Sequence, residues 1–241
     1  MLEQVKIITS RRAYEFGADE LRLSMLSIKP VQEQIQQLFH FQTSTMGIPM
    51  ATFGEVPAVY PPGMVFDMGV WVSSEKQMVP IRFLHFEQRR IVIDVAGPSS
   101  AISEIYDHLQ LFLAPMHATD GSPVIGQSEQ ILNYSEITAR FPFPLDAVLA
   151  LPIRNLLSRI SSHQGKGKNM VLVPTLAWQT QVANKELAVV AEPNDTSSFT
   201  FALRAGTRPE ENIYFSSAPL DSDAHLAYLT RLEAALSSSE R

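Results

Sequence analysis

The 241-residue chain is 45% apolar and 18% charged, enough apolar material to bury a sizeable core in one domain or two small ones, and its composition excludes a disordered tail. Its 19 Lys and Arg against 25 Asp and Glu leave a formal charge of -6, which supplies no general attraction for phosphate backbones or anionic lipid and disfavours nucleic acid and membrane as partners. The absence of cysteine excludes disulfides, thiol nucleophiles and thiolate metal sites together.

The opening stretch, MLEQVKIITSRR, mixes Glu3 and Lys6 into a short apolar run without the basic and long apolar regions of an export signal, which predicts a cytoplasmic protein. Apolar runs such as MVLVPTLAW and LDAVLALPI are about half as long as a membrane span. VKIIT reads as a short strand. PVQEQIQQLF reads as a helix opened by Pro30, because Val31, Ile35, Leu38 and Phe39 recur at helical spacing. Between Thr43 and Trp71, Pro49, Pro57, Pro61 and Pro62 with Gly47, Gly54, Gly63 and Gly69 forbid a long helix and favour extended pieces broken by turns. VPIRFLHFEQRRIVIDVAG then reads as two β-rich runs around a turn. PSSAISEIYDHLQLFLA follows as a helix capped by Ser99 or Ser100, with Ile102, Ile105, Tyr106, Leu109, Phe112 and Leu113 as its apolar stripe.

After the turn-rich HATDGSPVIG, residues 117–126, the vocabulary repeats. SEQILNYSEITARF is extended, a helix begins near Pro144, and MVLVPTLAWQTQV, ELAVVAE, FTFALRA and NIYFSSA are further β-rich runs. The closing DSDAHLAYLTRLEAAL is a helix capped by Asp221 or Ser222, with Ala224, Leu226, Leu229, Leu232 and Leu236 as its apolar residues. The expected fold is α+β: antiparallel sheet with helices packed on one face, in two similar hairpin-helix halves, 1–117 and 118–241, or one continuous domain. Without gaps, Ile91 falls on Ile213, Ala96 on Ala218, Ser100 on Ser222 and Tyr106 on Tyr228, agreement near what chance gives.

The run SRISSHQGKGKNMVLVP resembles a phosphate loop only in its Gly and Lys content. Walker order demands a strand, a leading glycine and then Ser or Thr opening a helix, whereas here a helix precedes the loop, Ser162 stands at the leading glycine and Asn169 at the Ser or Thr. Gly165 suits a helix C-terminus, and His163, Lys166 and Lys168 are left as a weak anion contact at a helix-to-strand corner. In the hairpin, Phe86 opposite Ile91 and Leu84 opposite Ile93 would share an apolar face with Val95. The other face would carry the Glu87–Arg90 pair, His85 and, diagonal to it, Asp94. A His between carboxylates is raw material for a general base, but such residues also read as an ordinary solvated sheet face.

Glu104, Asp107 and His108 share a helix edge that lacks the second His of a zinc-protease helix, and His40, His117 and His225 stand alone, so no metal and no cofactor is expected. Neither a nucleophile elbow nor a dinucleotide fingerprint occurs, and the sequons at Asn133 and Asn194 read as chance matches. Met46, Met50, Met64 and Met68, interleaved with aromatics up to Trp71, suit either an irregular core layer or an adaptable contact surface. The expectation is a non-catalytic binding or scaffold protein that self-associates and takes a protein partner or small ligand. The alternative is an enzyme of unrecognised class using His85, Glu87 and Asp94.

Overall fold

The computed structural model describes residues 2–18, 20–46, 63–73, 76–118, 120–144, 152–153, 155, 175–179 and 198–238. Among them the architecture is α+β and mostly antiparallel. The strands are β1 (Glu3–Phe16), β2 (Thr43–Met46), β3 (Gly63–Val72), β4 (Met78–Glu87), β5 (Arg90–Val95), β6 (Ser128–Arg140), β7 (Leu176–Gln179), β8 (Ser198–Leu203) and β9 (Ile213–Ala218). The helices are α1 (Leu23–Leu26), α2 (Lys29–Leu38), α3 (Ser99–Leu113) and α4 (Ser222–Ser238). Two compact units divide the chain: one is Thr9–Tyr134, the other joins Met1–Ile8 to Ser135–Arg241, so the boundary falls inside both β1 and β6. The turn-rich stretch 117–126 belongs to the Thr9–Tyr134 unit.

Within Thr9–Tyr134 the hydrogen-bonded strand order is β2-β3-β4-β5-β1. The β4–β5 hairpin closes as its alternation predicts, with Glu87 opposite Arg90, Phe86 opposite Ile91 and Leu84 opposite Ile93. Phe86, Leu84, Ile91, Ile93 and Val95 are all fully buried, each such side chain contributing about 1.5–3 kcal/mol of transfer free energy. They pack with Ile102, Ile105 and Leu109 of α3 and with Val31 and Ile35 of α2 in one core. The α3 stripe is the predicted one, but the helix enters through Pro98 in extended geometry with no side-chain cap bond, so Ser99 is its first residue rather than its cap. Tyr14 of β1 stacks on Tyr106 of α3, ring centroids 3.6 Å apart.

Strand β1 is far longer than the VKIIT predicted, because Ser10 to Glu15 pair in register with β5 from Val95 to Arg90. Its polar residues have partners on both sheet faces. On the α3 side Arg12 donates to Ser103 at 2.7 Å and to Asn133, one of the sequon asparagines, at 2.8 Å.

In the other unit the strand order is β6-β9-β8-β7. Ile137, Ala139, Phe141, Phe143, Phe199, Phe201, Tyr214, Ala218 and Leu229 form its core, with Leu2 and Ile7 packed against them. Phe141 meets Phe143, Phe201 and Tyr214 edge-on, the arrangement that aromatic quadrupoles favour. Asp221 caps α4, its Oδ1 accepting from the backbone N–H groups of Asp223 and Ala224. No helix among the described residues is long and apolar enough to cross a membrane. The helix expected near Pro144, the runs MVLVP and ELAVVAE, the loop carrying His163, Lys166 and Lys168, and Met50 and Asn194 lie outside what can be described.

Candidate functional site

On the sheet face of Thr9–Tyr134 turned away from α3, the hairpin brings His85 beside Glu87, His85 Nδ1 lying 3.3 Å from Glu87 Oε1. Arg90 completes the predicted pair at 3.8 Å from Glu87 and donates its Nε–H to Glu15 of β1 at 3.1 Å. Burial pushes the Glu87 carboxyl up; Arg90 pulls it down by less, and Glu15 adds to the rise. Gly63 of β3 faces Glu87, and a Cβ there would collide with the Phe86 carbonyl, so glycine is what allows β3 to run so close. The solvated face predicted for these residues is not what forms: His85 is 4% exposed and Asp94 0%. The period-two pattern predicts which face a residue takes, but not what covers that face.

Asp94 is held separately. Its carboxylate accepts from Thr9 Oγ1 at 2.9 Å and from Arg11 Nε at 2.8 Å, and Arg82 Nε stands 3.9 Å away. Arg82 owes its position to a β-bulge: the register passes from Ile81 opposite Val95 to Phe83 opposite Asp94, leaving Arg82 as the extra residue. Across β4, Met68 of β3 has a left-handed backbone with φ of 55°, a costly conformation for a residue with a Cβ. Arg11 lies over both Phe83 and Tyr134, at 5.4 and 5.7 Å from their ring centroids. The carboxylate is buried while the side chains of Arg11 and Arg82 are 41% and 48% exposed.

Sequence reasoning missed Thr9, Arg11 and Arg82. The sequence hid Arg82: Ile81 and Leu84 both face the core yet lie three apart, which a regular strand cannot arrange, but Phe83 between them is apolar too and keeps the alternation looking regular. No local signal marked Thr9 or Arg11, which reach Asp94 across more than 80 residues of sequence.

The second buried polar cluster, in the Ser135–Arg241 segment, was also missed. His225 of α4, 0% exposed, sits between two serines, with Nδ1 2.9 Å from Ser135 Oγ and Nε2 2.9 Å from Ser216 Oγ. Ser135 also reaches the Leu220 carbonyl at 2.8 Å and Ser216 the Thr200 carbonyl at 2.9 Å. Burial pushes the imidazole down to about 4, so at neutral pH it has one N–H to give. Only one serine can then accept from the ring and donate onward to its carbonyl. Arg204 donates to Ile213 O, which by ladder alternation makes Thr200 and Ser217 a hydrogen-bonded pair and gives the Thr200 carbonyl a backbone donor. Leu220 lies in the turn after β9. The favoured arrangement places the proton on Nδ1, facing Ser135. A Ser–His contact of this length is a nucleophile-base geometry, but both partners are fully buried and out of a substrate's reach.

Of the residues predicted for a contact surface, Met64 is a core residue at 1% exposure and Met68 is exposed at 55%. Met46 pairs with Met64 in the β2–β3 register. Trp71 is spanned by the α3 edge considered for a metal: its Nε1–H donates to Glu104 at 3.1 Å and its ring lies 5.1 Å from that of His108. No group of three or more His, Asp or Glu among the described residues is arranged to hold a metal ion. The chain matches no protein-family model and no curated protein.

Proposed function

We propose that the chain is a non-catalytic binding or scaffold protein, acting in the cytoplasm as a twofold homo-oligomer and engaging a protein partner or small ligand rather than nucleic acid or membrane. The observation that carries the reading is the β3–β4 hairpin end. Val72 lies directly opposite Met78, and the two are 53% and 73% exposed, with Met68 further along β3. Exposed apolar side chains gathered on one hairpin, two of them methionines, suit a protein contact surface. Asp94, the second carboxylate of the enzyme alternative, is committed to Thr9 and Arg11. The enzyme alternative rests on the His85–Glu87 contact, which is how a carboxylate orients a general base.

Size exclusion with light scattering tests self-association. A dimer that Met78→Glu converts to a folded monomer is the expected result, and a monomeric wild type would overturn it. A His85→Ala chain that keeps its cellular role supports the non-catalytic reading, whereas loss of that role in a folded variant favours the enzyme.

The finer reading of two similar hairpin-helix halves is also a proposal. It is supported by the order β4-β5-α3 recurring as β8-β9-α4, each with an antiparallel strand pair leading into a helix.

A further inference from the structure

We infer that Arg11 and Arg82 form an oxyanion-binding fork on the Thr9–Tyr134 sheet, taking one carboxylate or phosphate group of a ligand. The site deepens the binding reading and rests on it. Two guanidinium groups converge on one buried carboxylate, so these three groups together carry one net positive charge on a chain whose formal charge is -6. The donors are not used up. Arg11 spends Nε–H on Asp94, and Arg82 stands at 3.9 Å, beyond hydrogen-bond length; among the described residues the Nη groups of both carry no hydrogen bond. The Nη1–Nη2 edge presents two parallel N–H bonds and can grip a carboxylate or phosphate.

One of the two side chains is also held in place, and the other is aimed by the backbone. Arg11 is held at Nε by a fully buried acceptor and lies over Phe83 and Tyr134, so little rotamer freedom remains to be lost on binding. The bulge that brings Arg82 to the same carboxylate is a device strands use to re-aim a side chain. Asp94 therefore acts as a positioning residue: buried, it cannot meet the ligand itself, but it sets where both cations stand.

The test is an NMR titration of the full chain, reading the Arg Nε–H and backbone amide signals while adding inorganic phosphate or, separately, acetate, with ionic strength held constant by chloride. The expected result is a saturable shift of Arg11, Arg82 and Phe83 with Kd on the order of 1 mM for an isolated oxyanion. Arg82→Gln should weaken it at least tenfold without altering the rest of the spectrum, and Arg82→Lys should restore only part, since charge returns without the fork. Saturation by phosphate alone identifies a phosphoryl ligand, and saturation by acetate or by both identifies a carboxylate-accepting site; each supports the fork. Shifts that grow linearly with either ion, or that persist unchanged in Arg82→Gln, overturn it. That failure is separable from failure of the binding-protein reading, which the oligomeric state and His85→Ala decide.

Discussion

Each of the two units buries a polar group at 0% exposure, and they satisfy it in opposite ways. Asp94 is ion-paired, and its counter-charges belong to long side chains whose outer ends reach water. His225 is neutral, and its hydrogen bonds close on two serines and, through the one that accepts from the ring, on a backbone carbonyl. A flexible cation can bridge a buried carboxylate to solvent, so the unit Thr9–Tyr134 keeps charge chemistry at a surface. An imidazole enclosed by strands and helix has no such bridge and gives up its charge. Proximity of titratable groups is thus a poor guide to function unless one of them also faces the solvent.

The largest expected effect comes from moving a carboxylate by one residue. Ile93 and Asp94 are adjacent and both fully buried, but Ile93 packs in the apolar core. Ile93→Asp should cost about 4 kcal/mol or more in denaturant unfolding, since the arginine opposite it, Arg12, is already engaged by Ser103 and Asn133. A stable variant would invert the face assignment. Next is an asymmetry within the ion pair: Arg11→Met leaves a buried carboxylate with only Thr9 and the more distant Arg82 and should cost about 3 kcal/mol, whereas Asp94→Asn leaves a half-exposed guanidinium that water can solvate and should cost about half as much. Equal costs would show that Asp94 is not effectively buried.

The His225 cluster makes a pH prediction of similar size. The folded value of about 4 lies below the ordinary 6.5, so the neutral form belongs to the fold, and the unfolded chain takes up the proton first as pH falls. This contribution is complete above pH 6.5 and is lost progressively down to about pH 4, a change of up to about 3 kcal/mol. His225→Gln should flatten that part of the stability profile. A smaller effect sharpens the tautomer: Ser135→Ala should cost about 1 kcal/mol more than Ser216→Ala, because the Leu220 carbonyl depends on the Ser135 hydroxyl whereas the Thr200 carbonyl has its ladder donor. The ¹⁵N shifts of the ring should show Nδ1 protonated.

What could be read from the sequence was local. The turn between Phe86 and Ile91, the α3 stripe and the Asp221 cap each depend on residues within a few positions of one another, and each forms as the pattern implies. The candidate site was legible only in part. The outer-face residues of the hairpin were identifiable, but Arg11 and Thr9 come from a strand whose pairing with β5 leaves no mark in either run. The bulge escaped for a different reason: period-two counting from the turn runs true as far as Phe83 and fails at Arg82, where one extra residue resets the phase. His225 looked like a solitary histidine because its partners are serines, a residue type too common to flag.

The cut through β1 also bears on how the chain is made. Thr9–Tyr134 is contiguous, so it leaves the ribosome ahead of Ser135–Arg241 and can fold by short-range closure. The first eight residues cannot finish with it, because Leu2 and Ile7 belong to a core completed by Leu229 and Leu236 of the last helix. They must wait, tethered, until that helix has emerged. The wait adds little loop entropy, since closure cost grows only as the logarithm of length, but it imposes an order: the continuous unit first, the discontinuous one last. Circular permutation that appends residues 1–8 after Arg241 and opens the chain at Thr9 removes that order, making both units contiguous and letting the second fold without the first as its leash.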